Sequence, residues 1–352
     1  MKINFIIPFT YLTGGIKVVF EYCNRLKELG HEINIYVPMK SYKFNNVGIR
    51  GFFKTLKSSM GNTFIRRKKV KWFNLNCKIK LVPYITDKYI EDADICVATA
   101  WPTAYDVKKL NSSKGKKVYF IQGYEVWSGK KEDVENSYKL NLNQIVITKS
   151  LKDIMYDKFK KNATIIYNGI DKKDIYFENK ISCEDIVISI MYHELEIKGF
   201  KDGINAIELV RKKYPKIRIK AFGTKKGEDI PEYIEFYENP TREELKKIYI
   251  DSDIYVFSSR REGWGLTIIE AMACKCAVAG TNTGAILEIA TNYKDCLISD
   301  PMDSEALARN IIELIENERL RSKISQNSFE LASRFEWNKS VKNMEEFFRK
   351  IL

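Results

Sequence analysis

Residues 258–273 read SSRREGWGLTIIEAMA, and this stretch decides the fold of the second half of the chain. It follows a short apolar run at 254–257, and its own apolar residues then recur at helical spacing, which predicts a strand, a turn and a helix. Gly263 and Gly265 leave backbone amides uncovered in the turn, and a helix start concentrates free N–H groups and positive dipole. The stretch therefore predicts a seat for a diphosphate.

Two glutamates in this stretch are candidate ligands of sugar hydroxyls. Glu262 lies in the loop before the predicted helix and Glu270 lies just inside it, so both carboxylates can face one ligand. A carboxylate accepts hydrogen bonds from vicinal hydroxyls, which suits one glutamate to a transferred sugar and the other to a ribose. Surface glutamates have this spacing by chance in many proteins, and the flanking glycines are what point to a site.

Outward from this stretch, short β-rich runs alternate with amphipathic helices. Strands are predicted at 3–9, 32–37, 94–98, 117–121, 144–148, 186–191, 218–222, 234–236, 254–257 and 276–279. Helices are predicted from Gly14 to near Gly30, at 202–214 and 242–249, from Leu266 onward, and at 336–352. This order predicts an α/β protein with two doubly wound parallel sheets. Ligands bind outside the carboxyl ends of such strands, so a cleft between the two domains is the expected site.

Length and composition exclude several classes of protein. A chain of 352 residues, 45% apolar and 30% charged, is typical of a globular protein with two domains. No apolar run reaches about 18 residues, so no membrane-spanning helix is expected. The apolar start is too short for a signal peptide, and the seven scattered cysteines suit reduced thiols, so we expect a cytoplasmic protein.

Positive charge is concentrated in the first half of the chain. Residues 1–161 hold 30 lysines and arginines against 14 acidic residues, and residues 162–352 hold 29 against 32. Residues 40–80 hold 12 basic residues, no acidic one, and interleaved aromatics, and they look like an insertion on the acceptor side. Such a segment suits an anionic membrane surface or a lipid-phosphate acceptor. A nucleic-acid partner and an ordinary lysine-rich surface are the alternatives.

The stretch at 258–273 resembles the E-x7-E signature of the retaining GT-B-fold glycosyltransferases of family 4. Further matches follow in the family's order: the pair Gly14-Gly15, the Asn-Gly-Ile-Asp of 168–171, and Lys198-Gly199. The resemblance implies an N-terminal acceptor-binding domain of 1–168 plus 336–352, and a nucleotide-sugar-binding domain of 169–335. It also implies that the last helix crosses back to pack on the first domain.

The resemblance implies roles for individual residues. Lys198, Glu262 and His193 are the expected catalytic residues. The expected donor-binding residues are Gly14, Gly15, Lys198, Gly199, Gly223, Glu262, Gly263, Trp264, Gly265, Leu266, Thr267 and Glu270. On the acceptor side the candidates are Gln122, Tyr124, Glu125 and Trp127.

Two of these positions depart from the family's pattern. His193 stands where the family has an arginine, and its imidazole can donate to phosphate, more strongly when protonated. Gln122 stands where many members have a histidine, and because it cannot carry charge, a 6-deoxysugar donor is one reading. Capping of a strand end is the alternative role of His193, and ordinary loop packing is the alternative for Glu125 and Trp127.

The reaction implied is transfer of a hexose or deoxyhexose, with retention, from a UDP-, GDP- or dTDP-linked sugar to a glycan, lipid-linked or protein acceptor. No cofactor and no metal are expected. The Asp-Ser-Asp of 251–253 invites a metal-binding interpretation, but it precedes a strand, whereas ligands gather at carboxyl ends. An epimerase or a phosphorylase on the same architecture remains an alternative function, and a basic nucleic-acid-binding protein ranks below both.

Overall fold

The chain folds into two units, each built around a parallel β-sheet. The computed structural model describes residues 1–42, 44, 70–171, 175–176 and 185–352. Unit 1 comprises Met1–Tyr167 and Asn338–Leu352, and unit 2 comprises Asn168–Trp337. Strands and helices alternate along the chain in both units, and neighbouring strands run parallel. The predicted α/β class with two Rossmann-like sheets is confirmed.

Seven strands form the sheet of unit 1 among the described residues. They are β1 (Lys2–Ile6), β2 (Glu32–Pro38), β3 (Lys78–Val82), β4 (Ile95–Ala98), β5 (Lys116–Ile121), β6 (Asn143–Val146) and β7 (Thr164–Ile165). Their order across the sheet is β3-β2-β1-β4-β5-β6-β7. Strand β1 pairs with both β2 and β4, so the order of the strands reverses there. The carboxyl ends of β1 and β4 are therefore the switch point at which such sheets bind ligands.

Helix α1 (Gly14–Glu28) begins directly after the loop that follows β1. The Thr13 hydroxyl caps it by accepting a hydrogen bond from the Ile16 amide at 3.2 Å. Its inner face is buried and consists of apolar residues that recur at helical spacing: Ile16, Val19, Phe20, Cys23 and Leu26. The chain turns at Gly30, whose φ of +85° lies in the left-handed region that glycine adopts most readily. Among the described residues, helices α2 (Trp101–Lys109), α3 (Lys131–Lys139) and α4 (Lys149–Phe159) follow.

Strand β3 corrects the prediction that residues 40–80 lie outside the alternation. Its sequence, Lys-Ile-Lys-Leu-Val, pairs with β2 at the edge of the sheet. An edge strand keeps one side against water and so lacks the continuous apolar run that identifies buried strands. Lys80 uses that exposed position to contact Glu91. Residues 43 and 45–69 of the basic segment lie outside the described residues.

Unit 2 repeats the pattern with six strands among its described residues. They are β8 (Val187–Met191), β9 (Arg218–Gly223), β10 (Ile234–Glu238), β11 (Ile254–Phe257), β12 (Ala277–Thr281) and β13 (Leu297–Ser299). Their order is β10-β9-β8-β11-β12-β13, with the switch point between β8 and β11. The helices that follow these strands are α5 (Phe200–Lys213), α6 (Arg242–Ile250), α7 (Leu266–Ala273), α8 (Gly284–Ile289), α9 (Ser304–Glu316), α10 (Glu318–Ala332) and α11 (Trp337–Ile351). Buried residues of β8, α5 and α9, among them Ile188, Ile207 and Ile311, form the core.

The chain enters and leaves unit 2 at neighbouring positions. The Ile170 amide donates to the Phe335 carbonyl at 2.7 Å, and the Trp337 amide donates to the Ile170 carbonyl at 3.2 Å. A Cβ atom at Gly169 would lie 2.3 Å from the Trp337 nitrogen, so only glycine fits there. From Asn338 onward α11 belongs to unit 1.

Candidate donor and acceptor sites

Lys198 and Glu262 form an ion pair at the switch point of unit 2. The Lys198 ammonium lies 2.6 Å from Oε2 of Glu262, and the two side chains are 21% and 14% exposed. Lys198 ends a short 3-10 turn after β8, and Glu262 lies in the loop after β11, the strand beside β8. The fold thus brings together a cation and a carboxylate that lie 64 residues apart in the sequence.

Backbone contacts fix the two loops that carry this pair. The Ile197 carbonyl accepts hydrogen bonds from the amides of Arg260 at 2.9 Å and Arg261 at 3.2 Å. Gly199 has a φ of +63°, and a Cβ atom there would lie 1.9 Å from the Ser258 carbonyl oxygen. Because a side chain cannot be accommodated at this approach, Gly199 sets the spacing between the two loops.

Arg260 locks the same loops through its side chain. Its guanidinium contacts both carboxylate oxygens of Asp202, at 2.7 and 3.0 Å, and also reaches Glu196 at 3.4 Å. Asp202 lies in the first turn of α5, just beyond Lys198. The charge of Arg260 is therefore neutralised inside the unit, while Arg261 is exposed.

The start of helix α7 offers backbone donors beside Glu262. Gly265 precedes the helix with a φ of +86°, no side chain caps it, and its first turn holds no acidic residue. A Cβ atom at Gly284 would lie 2.9 Å from Cβ of Glu262, and one at Gly265 would lie 3.3 Å from its Cγ. The two glycines therefore allow Glu262 to lie close to an uncapped, positively polarised helix end.

Trp264 is a core residue rather than an open contact surface. Its side chain is 3% exposed and its ring packs edge-on against Phe335, with ring centroids 5.6 Å apart. The Trp264 carbonyl accepts the Ala285 amide at 2.6 Å, which joins this loop to α8. The indole packs inside unit 2. Only the backbone atoms of Trp264 could therefore make the predicted contact with the donor.

Glu270 lies over a buried tyrosine. The Tyr249 hydroxyl contacts Oε2 of Glu270 at 3.4 Å, and Tyr249 is buried. Leu266 and Glu270 are partly exposed. The predicted ribose contact of Glu270 and the donor contacts of Leu266, Thr267 and Gly263 stay predictions.

His193 is a neutral donor at the same edge of the sheet. Its Nδ1 accepts the Leu195 amide at 3.0 Å, so the ring proton belongs on Nε2. Partial desolvation of the ring and then the charge of Lys198 hold the pKa of His193 below its usual range. The imidazole can thus donate from Nε2, but protonation would strengthen it only in acid.

Gly223 ends strand β9, and its surroundings are backbone. A Cβ atom there would lie 2.9 Å from the Tyr192 carbonyl oxygen, and its own carbonyl accepts the Asn239 amide at 2.6 Å. A glycine is therefore needed for packing at the end of β9. Its predicted contact with the donor stays a prediction.

Gly14 and Gly15 lie at the switch point of unit 1. They open α1, where the first amides of a helix have no acceptor inside the helix. Nε2 of Gln122 donates to the Gly15 carbonyl at 3.1 Å, which links the loop after β5 to the start of α1. A Cβ atom at Gly14 would meet no atom within 4 Å. The predicted contact of these amides with phosphate stays a prediction.

Glu125 has the most perturbed carboxylate at this edge of unit 1. Burial raises the pKa of Glu125 to about 7, although a hydrogen bond from the Trp101 amide acts in the opposite direction. Trp101 opens α2, and its indole N–H donates to Ser128 Oγ at 3.1 Å. The Ser128 hydroxyl in turn donates to the Glu125 carbonyl at 2.8 Å. A carboxyl group that titrates near neutrality is a candidate acceptor ligand.

Tyr124 and Trp127 differ in how freely they can meet a ligand. The Tyr124 hydroxyl donates to Glu135, and the Lys158 ammonium lies 4.7 Å from the centroid of its ring. The side chain of Tyr124 is therefore committed to α3 and α4. Trp127 is 45% exposed. Of the two, Trp127 is the better placed to contact an acceptor.

The described aromatics of the basic segment pack on unit 1. Trp72 and Phe73 lie against Phe20 of α1, with ring centroids 5.5 and 5.6 Å away. The Tyr42 hydroxyl donates to Asp106 at 2.6 Å. These rings stabilise unit 1, so they no longer support the interpretation of the basic segment as a membrane-binding surface. Phe52, Phe53 and Phe64 lie outside the described residues.

The aspartates at 251–253 have structural partners. Oδ2 of Asp253 accepts the Val187 amide at 2.9 Å, and Asp251 lies 2.9 Å from the Lys220 ammonium. Both contacts are at the amino ends of the strands, as the sequence predicts.

In the described ranges, no helix is long and apolar enough to cross a membrane. The six cysteines within those ranges are buried and form no disulfide there; Cys183 lies outside them.

Known proteins resemble this chain in sequence and in fold. Residues 171–331 match the family model described as Glycosyl transferases group 1. The chain is 26% identical to the uncharacterized glycosyltransferase MJ1178 of Methanocaldococcus jannaschii over 210 residues, which is 59% of each chain. It thus spans less than two thirds of that relative. It is 21% identical to N-acetyl-alpha-D-glucosaminyl L-malate synthase of Bacillus anthracis over 378 residues, covering 100% of this chain and 98% of the relative.

A solved structure extends the likeness to both units. The structure of Anabaena Alr3699/HepE in complex with UDP and glucose has a TM-score of 0.76 at 14% identity, and the match covers 99% of this chain and 100% of that one. At this identity the likeness concerns the fold, and it confirms the predicted GT-B class. Residues 171–331 thus resemble the group 1 glycosyl transferases, and the chain shares the GT-B fold.

Proposed function

We propose that the protein is a retaining glycosyltransferase that moves a hexose or deoxyhexose from a nucleoside-diphosphate sugar to a glycan, lipid-linked or protein acceptor. The observation that carries the proposal is the contact between Lys198 and Glu262 at the switch point of unit 2, within the segment that matches the group 1 model. A cation suits the diphosphate and a carboxylate suits the sugar hydroxyls, and here they are neighbours.

Positive groups around Lys198 would stabilise the leaving group. Breaking the bond between the anomeric carbon and the diphosphate develops negative charge on phosphate. The proposed donors to that charge are the Lys198 ammonium, Nε2–H of His193 and the free amides where α7 begins. Because these groups supply cationic and dipolar stabilisation themselves, we propose a metal-independent reaction.

The carboxylates would hold the sugar and the ribose. We assign Glu262 to hydroxyls of the transferred sugar and Glu270, supported by Tyr249, to the ribose. Retention follows from attack on the face that the phosphate leaves, with the phosphate taking the proton of the acceptor hydroxyl. A reaction of this kind needs no nucleophile from the protein.

Unit 1 would bind the acceptor. Glu125, Gln122 and Trp127 lie in the loop after β5, at the carboxyl edge of the sheet where ligands of such sheets bind. In the protonated form that its raised pKa favours below neutrality, Glu125 is also able to donate a hydrogen bond.

A thermal-shift panel of UDP-, GDP- and dTDP-linked sugars tests donor binding. A ligand present at 100 times its Kd stabilises the folded state by about 2.7 kcal/mol, so the correct donor class raises Tm and the others do not. UDP-glucose is the first probe, since a HepE structure contains it. Lys198→Ala should abolish the shift, while the exposed Lys201→Ala keeps it. A shift equal in both variants would contradict the phosphate role of Lys198.

Peripheral attachment to the inner face of the membrane is a separate part of the proposal. The basic residues of 40–80 would supply it, each contributing about 1 kcal/mol near an anionic surface. Cosedimentation with anionic liposomes, lost as salt is raised, is the expected result. Equal binding to neutral liposomes would contradict it.

A further inference from the structure

The ion pair between Lys198 and Glu262 gives the donor site two functional groups that neutralise each other. Oε2 of Glu262 contacts the Lys198 ammonium at 2.6 Å, and Oε1 accepts the Gly263 amide at 3.2 Å. The loops that carry both residues are fixed by the bonds from Arg260 and Arg261 to Ile197. The contact is therefore a property of the fold and not of two long side chains that meet on a mobile surface.

A ligand that binds the Lys198 ammonium breaks the ion pair and leaves the negative charge of Glu262 unpaired. Because Glu262 is 14% exposed, hydration can replace only part of the electrostatic stabilisation that the ammonium gives the carboxylate. A diphosphate beside it would add repulsion between like charges. Binding of a free nucleoside diphosphate is therefore weakened, because it leaves the Glu262 carboxylate without its ion pair.

A sugar on the diphosphate changes this balance. Each oxygen of Glu262 holds one hydrogen bond and can accept a second. Hydroxyl donors from the sugar would stabilise the carboxylate while Lys198 turns to the phosphate. The pair therefore favours a ligand that carries both a diphosphate and a sugar.

We propose that the Lys198–Glu262 pair makes the site discriminate between a nucleoside-diphosphate sugar and the free nucleoside diphosphate, favouring donor over product. The inference rests on the proposed function, because it takes the diphosphate to Lys198 and the sugar to Glu262. It adds a consequence for turnover: the product is released because it takes the Lys198 ammonium from Glu262 and offers no sugar hydroxyl in its place.

Two variants of Glu262 separate the effect of this carboxylate on free nucleoside diphosphate from its effect on sugar nucleotide. Kd values for UDP, GDP and dTDP, and for sugars linked to each of them, are measured by calorimetry on the wild type, Glu262→Gln and Glu262→Ala. Removing the carboxylate frees Lys198 and removes the repulsion, so the free nucleoside diphosphate should bind about tenfold more tightly, one power of ten being about 1.4 kcal/mol. The sugar nucleotide should gain less or lose affinity, and the ratio of the two Kd values should fall about tenfold or more.

Glu194→Gln is the matched control. It removes one negative charge from the loop after β8 that carries Lys198, where Glu194 is exposed. Both Kd values should shift together in this variant, leaving their ratio at the wild-type value. A ratio that falls equally in Glu194→Gln would assign the effect to general charge and overturn the inference.

The outcomes distinguish this inference from the proposed function. Unchanged or weaker binding of the free nucleoside diphosphate by both Glu262 variants, with sugar nucleotides still bound by the wild type, overturns the inference alone. A wild type that binds no UDP-, GDP- or dTDP-linked sugar overturns the proposed function, and the inference with it. Tighter binding of the free nucleoside diphosphate in either folded Glu262 variant, together with a lower ratio and an unchanged control, supports the inference.

Discussion

The raised pKa of Glu125 predicts a specific dependence of stability on pH. Burial holds this pKa at about 7 in the folded protein, whereas a glutamate in an unfolded chain titrates near 4.3. Between those pH values the folded protein binds a proton that the unfolded chain has lost. Glu125 therefore contributes stability that is fully present below about pH 4 and is lost as pH rises through about 7.

The substitution Glu125→Gln isolates this contribution. Glutamine keeps the shape of the protonated side chain and can still accept the Trp101 amide, but it does not ionise. At about 1.4 kcal/mol per pKa unit, the variant's free energy of unfolding should gain up to about 3 kcal/mol on the wild type between pH 4.5 and 8. Because Glu125 is partly exposed, this figure is an upper limit.

Urea unfolding followed by tryptophan fluorescence at several pH values measures the difference. Glu132→Gln, on the exposed side of α3, is the matched control and accounts for loss of a surface charge. Subtraction of the wild-type curve cancels the other groups that titrate in this range. A difference between Glu125→Gln and the wild type that stays constant from pH 4.5 to 8 would refute the assignment of a desolvated carboxyl group.

Further predictions concern the loops around Lys198. Gly199→Ala should lower the free energy of unfolding by more than about 2 kcal/mol, because its Cβ would meet the Ser258 carbonyl, whereas Gly14→Ala should cost little or stabilise the helix start; equal urea midpoints would contradict this. Asp202→Ala leaves Arg260 without its bidentate partner and should cost about 3 kcal/mol, while Glu196→Ala, whose side chain is 88% exposed, should cost under about 1 kcal/mol. Similar losses in both variants would show that Asp202 does not anchor the loop.

The sequence predicts buried strands better than it predicts edges. Strand β11 is a short apolar run and β8 is apolar except for Ser189, and such runs are typical of parallel strands with both faces covered. Strand β3 alternates lysine with apolar residues at the sheet edge and was read as part of an insertion. The local sequence pattern is sufficient to predict a strand that is completely buried, and it fails for a strand with one side exposed to water.

The site divides along a similar line. The glycines around Glu262 mark its loop in the sequence, because a helix start after a glycine-rich turn is a local signal. The contact of Arg260 with Asp202 and that of Tyr249 with Glu270 join residues 58 and 21 positions apart. Neither spacing follows from helix or strand periodicity, so only the folded chain reveals these supporting contacts. The hydrogen bond that fixes the tautomer of His193 is likewise a backbone contact that no side-chain pattern predicts.

Turnover of the donor tests the central claim most directly. Release of nucleoside diphosphate from the sugar nucleotide that raises Tm is measured for the wild type, Lys198→Ala and Lys201→Ala. We predict that the wild type and Lys201→Ala release it at equal rates, and that Lys198→Ala loses about two to three powers of ten while its circular dichroism stays unchanged. A folded Lys198→Ala variant that turns over at the wild-type rate would contradict the claim that Lys198 stabilises the departing diphosphate.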